Sequence, residues 1–334
     1  MAWYKATGNE SPIVLSTRIR LARNSVDFPF PVRLDVNEKQ TVCTAVKEAL
    51  ADYNEDNLSY IEMSSLSPAQ AVSLAEKHLI SPEFAYETSG RALILSENED
   101  ISIMLCEEDH IRIQVVLPGL ALEEAYSKAD KIDSILEDRM NYAFMEPIGY
   151  LTQCPTSLGT GMRASVMLHL PALTSKGAMR RLSATVAKLG LTLRGYLGEG
   201  GESNGNIYQL SNQVTLGISE KAAIQNLSSI AMQIVTQEKQ ARALLVKDDD
   251  FIDKIYRSWG ILRSSYKLTS QELFNLISYV SVGACEGVID VPVDKLISAA
   301  IEFQPASMNV AQNRKLTQNE RDILRAQKVR ELLN

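Results

Sequence analysis

The chain has 334 residues, 45% of them hydrophobic, enough for one large domain or two whose core needs neither metal nor disulfide. A formal net charge of -7 argues against nucleic acid as a partner; four scattered cysteines (Cys43, Cys106, Cys154, Cys285), three histidines and no CxxC pair argue against structural zinc and for reduced thiols in the cytoplasm. No run of about 18 apolar residues is present, and Met1-Ala2-Trp3-Tyr4-Lys5 lacks the charged start and apolar stretch of a secretory signal.

The first expected element is a strand through Ser16-Thr17-Arg18-Ile19-Arg20-Leu21-Ala22-Arg23. Side chains alternate across a strand, so Arg18 and Arg20 share one face while Ile19 and Leu21 share the other. Apolar alternation predicts further strands over 58–63, 92–95, 101–105 and 111–116, a long helix over 122–142, then strands over 164–168, 191–196 and 207–210. The short gap between 101–105 and 111–116 implies antiparallel pairing about an acidic turn, Cys106-Glu107-Glu108-Asp109-His110. This is the α+β class, a sheet covered by helices. From residue 219 the strand signals stop, and helices are expected over 219–246, 250–259, 271–282, 293–301 and 319–332. Thr269-Ser270-Gln271-Glu272 and Thr317-Gln318-Asn319-Glu320 have capping-box spacing, and Asp248-Asp249-Asp250 marks a helix junction. The expected division is an α+β domain over 1–241 and a helical C-terminal domain over 242–334.

Arginines supply half of the chemistry. A guanidinium stays charged and grips phosphate oxygens through a bidentate fork. Arg18, Arg20, Arg163 in Gly161-Met162-Arg163 and Arg194 in Arg194-Gly195 therefore point to a polyphosphate clamp with no Walker-type lysine loop. Glu107, Glu108 and Asp109 supply the other half, with Arg112 four residues beyond Glu108. A fixed carboxylate beside a fixed arginine suits a site that binds a cation and an anion together.

Four motifs then occur in order: Ser16-x-Arg18-x-Arg20; Glu107-Glu108-Asp109-His110-x-Arg112; Cys154-Pro155-Thr156-x-Leu158-Gly159-Thr160-Gly161-x-Arg163; and Arg194-Gly195-x-x-Gly198-Glu199. Together they resemble the ATP:guanido phosphotransferases, the family of creatine kinase and arginine kinase, over roughly residues 14–241. The family fold is an antiparallel sheet flanked by helices. Near the C-terminus, Arg321-Asp322-Ile323-Leu324-Arg325-Ala326 is similar to the phosphoarginine-binding motif of the bacterial protein arginine kinases, the McsB branch of that family.

The resemblance implies ATP and Mg²⁺ as cofactors, with no protein metal ligand. It implies Glu108 as the base that orients and deprotonates a guanidinium, Glu199 as a second guanidine-binding carboxylate, and Cys154 as a contact that tunes activity. It assigns nucleotide binding to Ser16, Thr17, Arg18, Ile19, Arg20, His78, Arg112, Arg163, Ala164, Ser165, Val166, Met167, Arg194, Gly195, Tyr196, Leu197 and Gly198. Arg321 and Arg325, four apart on one helix face, would grip a phosphate while Asp322 engages the ligand's guanidinium and Ala326 completes the motif. Two positions depart from the family: Ser157 and Cys106 stand where asparagine is usual, and Cys106 is expected to place a second thiol beside the carboxylates.

The substrate implied is arginine in a protein. In phosphagen kinases a small helical domain precedes the first arginine motif; Arg18 lies so near the start here that an open substrate side is expected. The alternatives are a phosphagen kinase acting on a small free guanidine and a non-catalytic phosphoarginine-binding adaptor. The intact carboxylates and clamp arginines weigh against the adaptor. The resemblance also implies an activator like McsA, the repressor CtsR and the ClpC–ClpP protease as partners, a role in the stress response, and a homodimer.

Overall fold

The computed structural model describes residues 2–196 and 203–333. Along the chain run β1 (Val14–Arg23), α1 (Val36–Ala49), β2 (Ser59–Glu62), α2 (Pro68–Glu76), α3 (Pro82–Tyr86), β3 (Ala92–Leu95), β4 (Ile101–Leu105), β5 (Ile111–Pro118), α4 (Leu122–Glu137), β6 (Phe144–Met145), β7 (Gly149–Tyr150), β8 (Met162–His169), α5 (Pro171–Ser175), α6 (Met179–Ala187), β9 (Leu191–Gly195) and β10 (Ile207–Asn212). Helices complete the described chain: α7 (Glu220–Leu245), α8 (Asp249–Ser264), α9 (Ser270–Cys285), α10 (Val293–Glu302), α11 (Pro305–Ala311) and α12 (Gln318–Leu333).

Eight strands form one sheet in the order β2-β3-β4-β5-β1-β8-β10-β9, each neighbour antiparallel; β6 and β7 form a separate small ribbon. The expected antiparallel sheet is therefore present. One face is apolar: Ile19 and Leu21 of β1, Ile113 and Val115 of β5, and Ala164 and Val166 of β8 join one core with α1, α4, α6 and α7. Full burial of each large aliphatic side chain stabilises the fold by about 1.5–3 kcal/mol. This explains why the alternation is so regular in the central strands.

The opposite face is covered only at its margins. At one end α2 and α3 pack on Met104 and Leu93. Elsewhere Val116, Met167 and Ile207 meet Trp3 and residues of α9, α10 and α12. Between these two covers the polar half of the strands stays accessible. Glu76, at the end of α2, fixes one cover to the other: its carboxylate accepts from Ala306 N at 2.8 Å and Ser307 N at 2.7 Å, capping α11. A buried group on α7 anchors the other side of the sheet. Glu238 accepts from Ala172 N and Leu173 N at the start of α5, and pairs with Arg242, which donates to His169 O at the end of β8.

Several local expectations need correction. The helix expected over 122–142 stops at Glu137, because Tyr142 is drawn back into a bridge with Ser25. Of the two capping boxes, Thr317 and Glu320 form a reciprocal pair, whereas at Thr269 only the Glu272 N–H bond to the threonine hydroxyl forms.

Candidate active site

Register brings arginines from four strands onto one surface. Arg20 lies opposite Gln114 of β5 on one side and Arg163 of β8 on the other. Arg18 lies opposite Ser165, Arg112 opposite Ala22, and Arg194 of β9 opposite Gln209 of β10. Few of these guanidinium groups have partners. Arg18 donates to Gln209 Oε1 at 3.0 Å, and Arg112 pairs with Glu107. Arg20 Nε is buried without a partner, and neither Arg163 nor Arg194 has a hydrogen-bond or ion-pair partner among the described residues.

Like charges held this close disfavour one another. Burial and then Arg112 push the Arg18 guanidinium down to about 10. Burial, then Arg18, Arg112 and Arg163, lower Arg20 further. Burial, Arg112 and Arg194 lower Arg163, while Cys154 and Glu108 oppose the shift. Such a cluster is costly without an anion and favourable with one. The unpartnered buried Nε and the mutual repulsion both fit a polyphosphate. Among the described residues no group of three or more His, Cys, Asp or Glu side chains could hold a metal ion. A cation arriving with the phosphates would keep its water ligands and the phosphate oxygens, as Mg²⁺ commonly does.

Two connected hollows flank Arg18 and Arg20. One, of about 430 Å³, lies between the sheet, α2 and the C-terminal helices, and is bordered by His78, Tyr86, Tyr196 and Gln304. The other, of about 710 Å³, opens over Arg163, Arg194 and Thr156. His78 is fixed in a left-handed backbone conformation, φ 63°, just beyond α2. Its ring stacks on Trp3 with centroids 5.2 Å apart and bonds through Nε2 to the Tyr196 hydroxyl. Burial, then Arg18, push its pKa down to about 3, so the imidazole is neutral.

The strand segments assigned to nucleotide divide by face. Ser16 and Ser165 lie on the arginine face, and Met167 packs there under the C-terminal helices. Ile19, Ala164 and Val166 turn to the opposite face and are buried in the main core, so their side chains are out of reach of a ligand on the arginine face. Thr17 also faces inward, donating to Gly119 O at 2.7 Å and accepting from Ala121 N at 3.1 Å. Gly195 ends β9 and Tyr196 follows it; Leu197, Gly198 and Glu199 lie outside the described residues.

The acidic turn joins β4 to β5, and its carboxylates have separate tasks. Glu107 accepts from Ser81 Oγ and pairs with Arg112. Asp109 is buried, accepting from Asn24 Nδ2 at 2.7 Å and Gln153 N at 2.8 Å. Glu108 alone is exposed. Arg112 therefore pairs with Glu107 and leaves Glu108 open to a ligand. Cys106 turns away from all three: its thiol is buried beside Lys39 O in the core that also holds Cys43. The expectation of a second thiol beside the carboxylates is wrong, because the φ of 59° at Cys106 directs its side chain inward.

Cys154 begins the short turn Pro155–Ser157, with its sulfur 3.1 Å from Thr156 Oγ1. The Asp109–Gln153 bond ties this turn to the Glu108 turn, and Glu108 and Cys154 both act electrostatically on Arg163. Segments far apart in sequence thus bring a carboxylate, a thiol and the arginine surface together. Gln209, Gln114 and Asn24 escaped the sequence reading. The one sequence signal was for Gln114, two residues after Arg112 on an otherwise apolar strand; β10 carries no arginine, and Gln209 joins the site through its register opposite Arg194.

The C-terminal motif departs from expectation. Arg325 is buried: it donates to Leu268 O at 2.7 Å and Phe303 O at 2.9 Å, and pairs with Asp322 at 2.6 Å. Asp322 is thereby occupied, and Ala326 lies fully in the core. Only Arg321 borders open space, a groove of about 860 Å³ shared with Arg314, Lys315 and α2. The two arginines do not present a joint phosphate grip, because one braces the helix from behind.

The family model of the ATP:guanido phosphotransferase C-terminal catalytic domain matches residues 41–241, and that of the protein-arginine kinase McsB C-terminal domain matches 248–334. The protein-arginine kinase of Halothermothrix orenii is 44% identical over 99% of this chain and 96% of its own length. That of Clostridium acetobutylicum is 42% identical over 99% of each. The chain belongs to the protein-arginine kinases. The duplicated taurocyamine kinase from Schistosoma mansoni, solved with bound transition state analog components, matches with a TM-score of 0.61 at 27% identity over 68% of this chain and 33% of that one. Lombricine kinase, at 24% identity, shares the fold with a TM-score of 0.61 over 71% of this chain and 69% of its own. A protein-arginine kinase is an ATP:guanido phosphotransferase, so the arginine surface and the exposed carboxylate belong to a phosphotransferase.

Proposed function

We propose that this enzyme transfers the γ-phosphoryl group of ATP to arginine side chains of proteins through the surface built by Arg18, Arg20, Arg112, Arg163 and Arg194. The observation that carries this reading is the meeting of unpartnered guanidinium groups with one exposed carboxylate, Glu108. A guanidinium nitrogen of the substrate attacks the γ-phosphorus in line with the departing β-phosphate oxygen. The P–N bond forms as the P–O bond breaks, and the nitrogen's proton passes to Glu108. ADP leaves with the electron pair of the broken bond. The clamp stabilises the charge that spreads over the transferring oxygens, since this chemistry depends mainly on positioning and electrostatics. Bound Mg²⁺ supplies further charge neutralisation on the phosphates. Glu199 is the second carboxylate for the guanidinium, Cys154 its neighbour, and His78 with Tyr196 the nucleotide-side wall.

The wider reading follows the family. The modified proteins are marked for a ClpC–ClpP protease, CtsR is among the targets, and an activator like McsA and a homodimer regulate the kinase in the cytoplasm during stress. Residues 1–241 form the catalytic unit and 242–334 the helical unit. Phosphoarginine binds the basic groove at Arg321, with Arg314 and Lys315 beside it. Among the described residues no helix is long and apolar enough to cross a membrane, which accords with this location.

The test is incubation with ATP, Mg²⁺ and a disordered arginine-rich protein, followed by mass spectrometry under non-acidic conditions that preserve P–N bonds. Phosphate on arginine is expected. Phosphate confined to serine, threonine or tyrosine, or none at all, refutes the reading.

A further inference from the structure

The Glu108 turn belongs to a larger knot, and the two other segments tied into it display apolar side chains. Asn24 is its centre. Its Nδ2 donates to Asp109 Oδ1 and, at 3.0 Å, to Leu151 O; its Oδ1 accepts from His110 N at 2.9 Å; its backbone carbonyl accepts from Ala143 N at 2.7 Å. His110 then reaches the segment after β1: Nδ1 accepts from Ser25 N at 3.1 Å, and Nε2 lies 2.8 Å from Pro29 O. Val26 N in turn bonds to Asn141 O at 2.9 Å. The segment 26–32 and the β6–β7 ribbon are therefore held on the same knot as Glu108.

Both segments expose side chains that proteins usually bury. Val26 is 63% exposed, Val32 75%, Phe144 52% and Met145 46%, and Phe30 is also exposed. Val26 N bonds to Asn141 O, Phe30 and Val32 lie in a short turn closed by Arg33 N to Phe30 O, and Phe144 and Met145 pair with Tyr150 and Gly149, so the exposure belongs to held backbone. Acidic groups are interleaved: Asp27 and Glu146 are exposed, as is Glu108. An apolar strip interleaved with carboxylates and tied to the Glu108 turn complements a chain that carries a guanidinium among apolar neighbours.

We infer that this strip docks unfolded polypeptide, taking the aliphatic or aromatic residues that flank the target arginine. The inference rests on the reading of Glu108 as the carboxylate that meets the guanidinium. Folded proteins bury such flanking residues, so the strip selects arginines in exposed apolar stretches. The two segments are joined to each other by the Ser25–Tyr142 bridge and lie side by side next to the turn, which suits an extended segment whose arginine reaches Glu108.

The experiment compares two twelve-residue peptides with one central arginine, flanked by leucine and phenylalanine or by serine and glycine. The full chain and its triple variant V26S/V32S/M145S, altered only at exposed positions outside the catalytic surface, are assayed with each. The expected result is a KM at least tenfold lower for the apolar peptide with the parent, falling to within twofold in the variant. Turnover of the serine–glycine peptide and the KM for ATP stay unchanged. Equal KM values in the parent, or a preference retained by the variant, overturn the inference alone. Absence of phosphoarginine in both peptides overturns the functional reading as well. A variant that sediments as a smaller species than the parent assigns the strip to a second copy of the chain and overturns the docking role.

Discussion

Glu107 and Arg112 form an ion pair across the turn between β4 and β5, and that pair leaves the adjacent Glu108 as the exposed carboxylate. The two glutamates should therefore fail differently. Glu108→Gln keeps the shape and removes the basic group, so transfer is expected to fall by about a hundredfold or more, with ATP affinity within twofold of the parent. Glu107→Gln removes the partner of a phosphate-facing arginine, so the KM for ATP should rise while measurable turnover remains. Steady-state kinetics with ATP titration checks both; near-normal turnover in Glu108→Gln would remove it as the base.

The clamp is strained by its own charge. Arg20→Met should leave the melting temperature of the free protein unchanged or raised, since it relieves repulsion from Arg18, Arg112 and Arg163. ATP affinity should fall by about tenfold to a hundredfold, the value of one charge-assisted hydrogen bond. The rise in melting temperature with saturating ATP shrinks accordingly. A large destabilisation of the nucleotide-free protein would show that Arg20 is structural.

Stability should depend on the three histidines. Burial is the main cause that lowers each pKa, His78 to about 3, with His110 and His169 shifted the same way. A histidine kept neutral in the fold binds fewer protons than in the unfolded chain. Its contribution is whole above about pH 6.5 and is lost as pH falls toward the folded value, at up to about 1.4 kcal/mol per pH unit per histidine. Urea midpoints should drop between pH 7 and pH 5.5, and His78→Gln should shallow that slope. A flat midpoint over this range counts against neutral burial.

Arg321 and Arg325 should separate binding from stability. Arg325→Ala leaves two backbone carbonyls and Asp322 without their buried cation, a loss of about 3–5 kcal/mol. Arg321→Ala should cost under about 1 kcal/mol, as for most changes away from the core, yet weaken phosphoarginine binding. Calorimetry with phosphoarginine and denaturant titration distinguish the two. Equal effects on binding at unchanged stability would restore the joint grip.

Much of the sheet was legible because its two faces differ so sharply. The strands at 92–95 and 101–105 have the expected ends, and Arg18, Arg20, Ile19 and Leu21 divide between faces as alternation requires. The same alternation shows why Ile19, Ala164 and Val166 cannot offer side chains to the arginine surface. Partner choice was not legible. Glu107 and Glu108 are neighbours of identical chemistry, and only the location of Ser81, 26 residues before Glu107, and of Arg112 decides between them. Arg325 has the spacing of a surface pair with Arg321; its burial depends on Leu268 and Phe303, which pattern alone does not bring near. Short helices such as α2, with Pro68 at its start and a Ser67–Gln70 capping box, carried local signals too brief for periodicity to register.

Glu76 makes one wall serve two rooms. It borders the hollow beside His78 and the groove beside Arg321, and its carboxylate holds the first turn of α11. A displacement of α11 must either break those bonds or carry α2 with it, and α2 leads directly into His78. Occupancy of the groove and occupancy of the hollow are then terms in one free-energy balance. Whatever change in affinity the first ligand imposes on the second, the second must return to the first in equal measure.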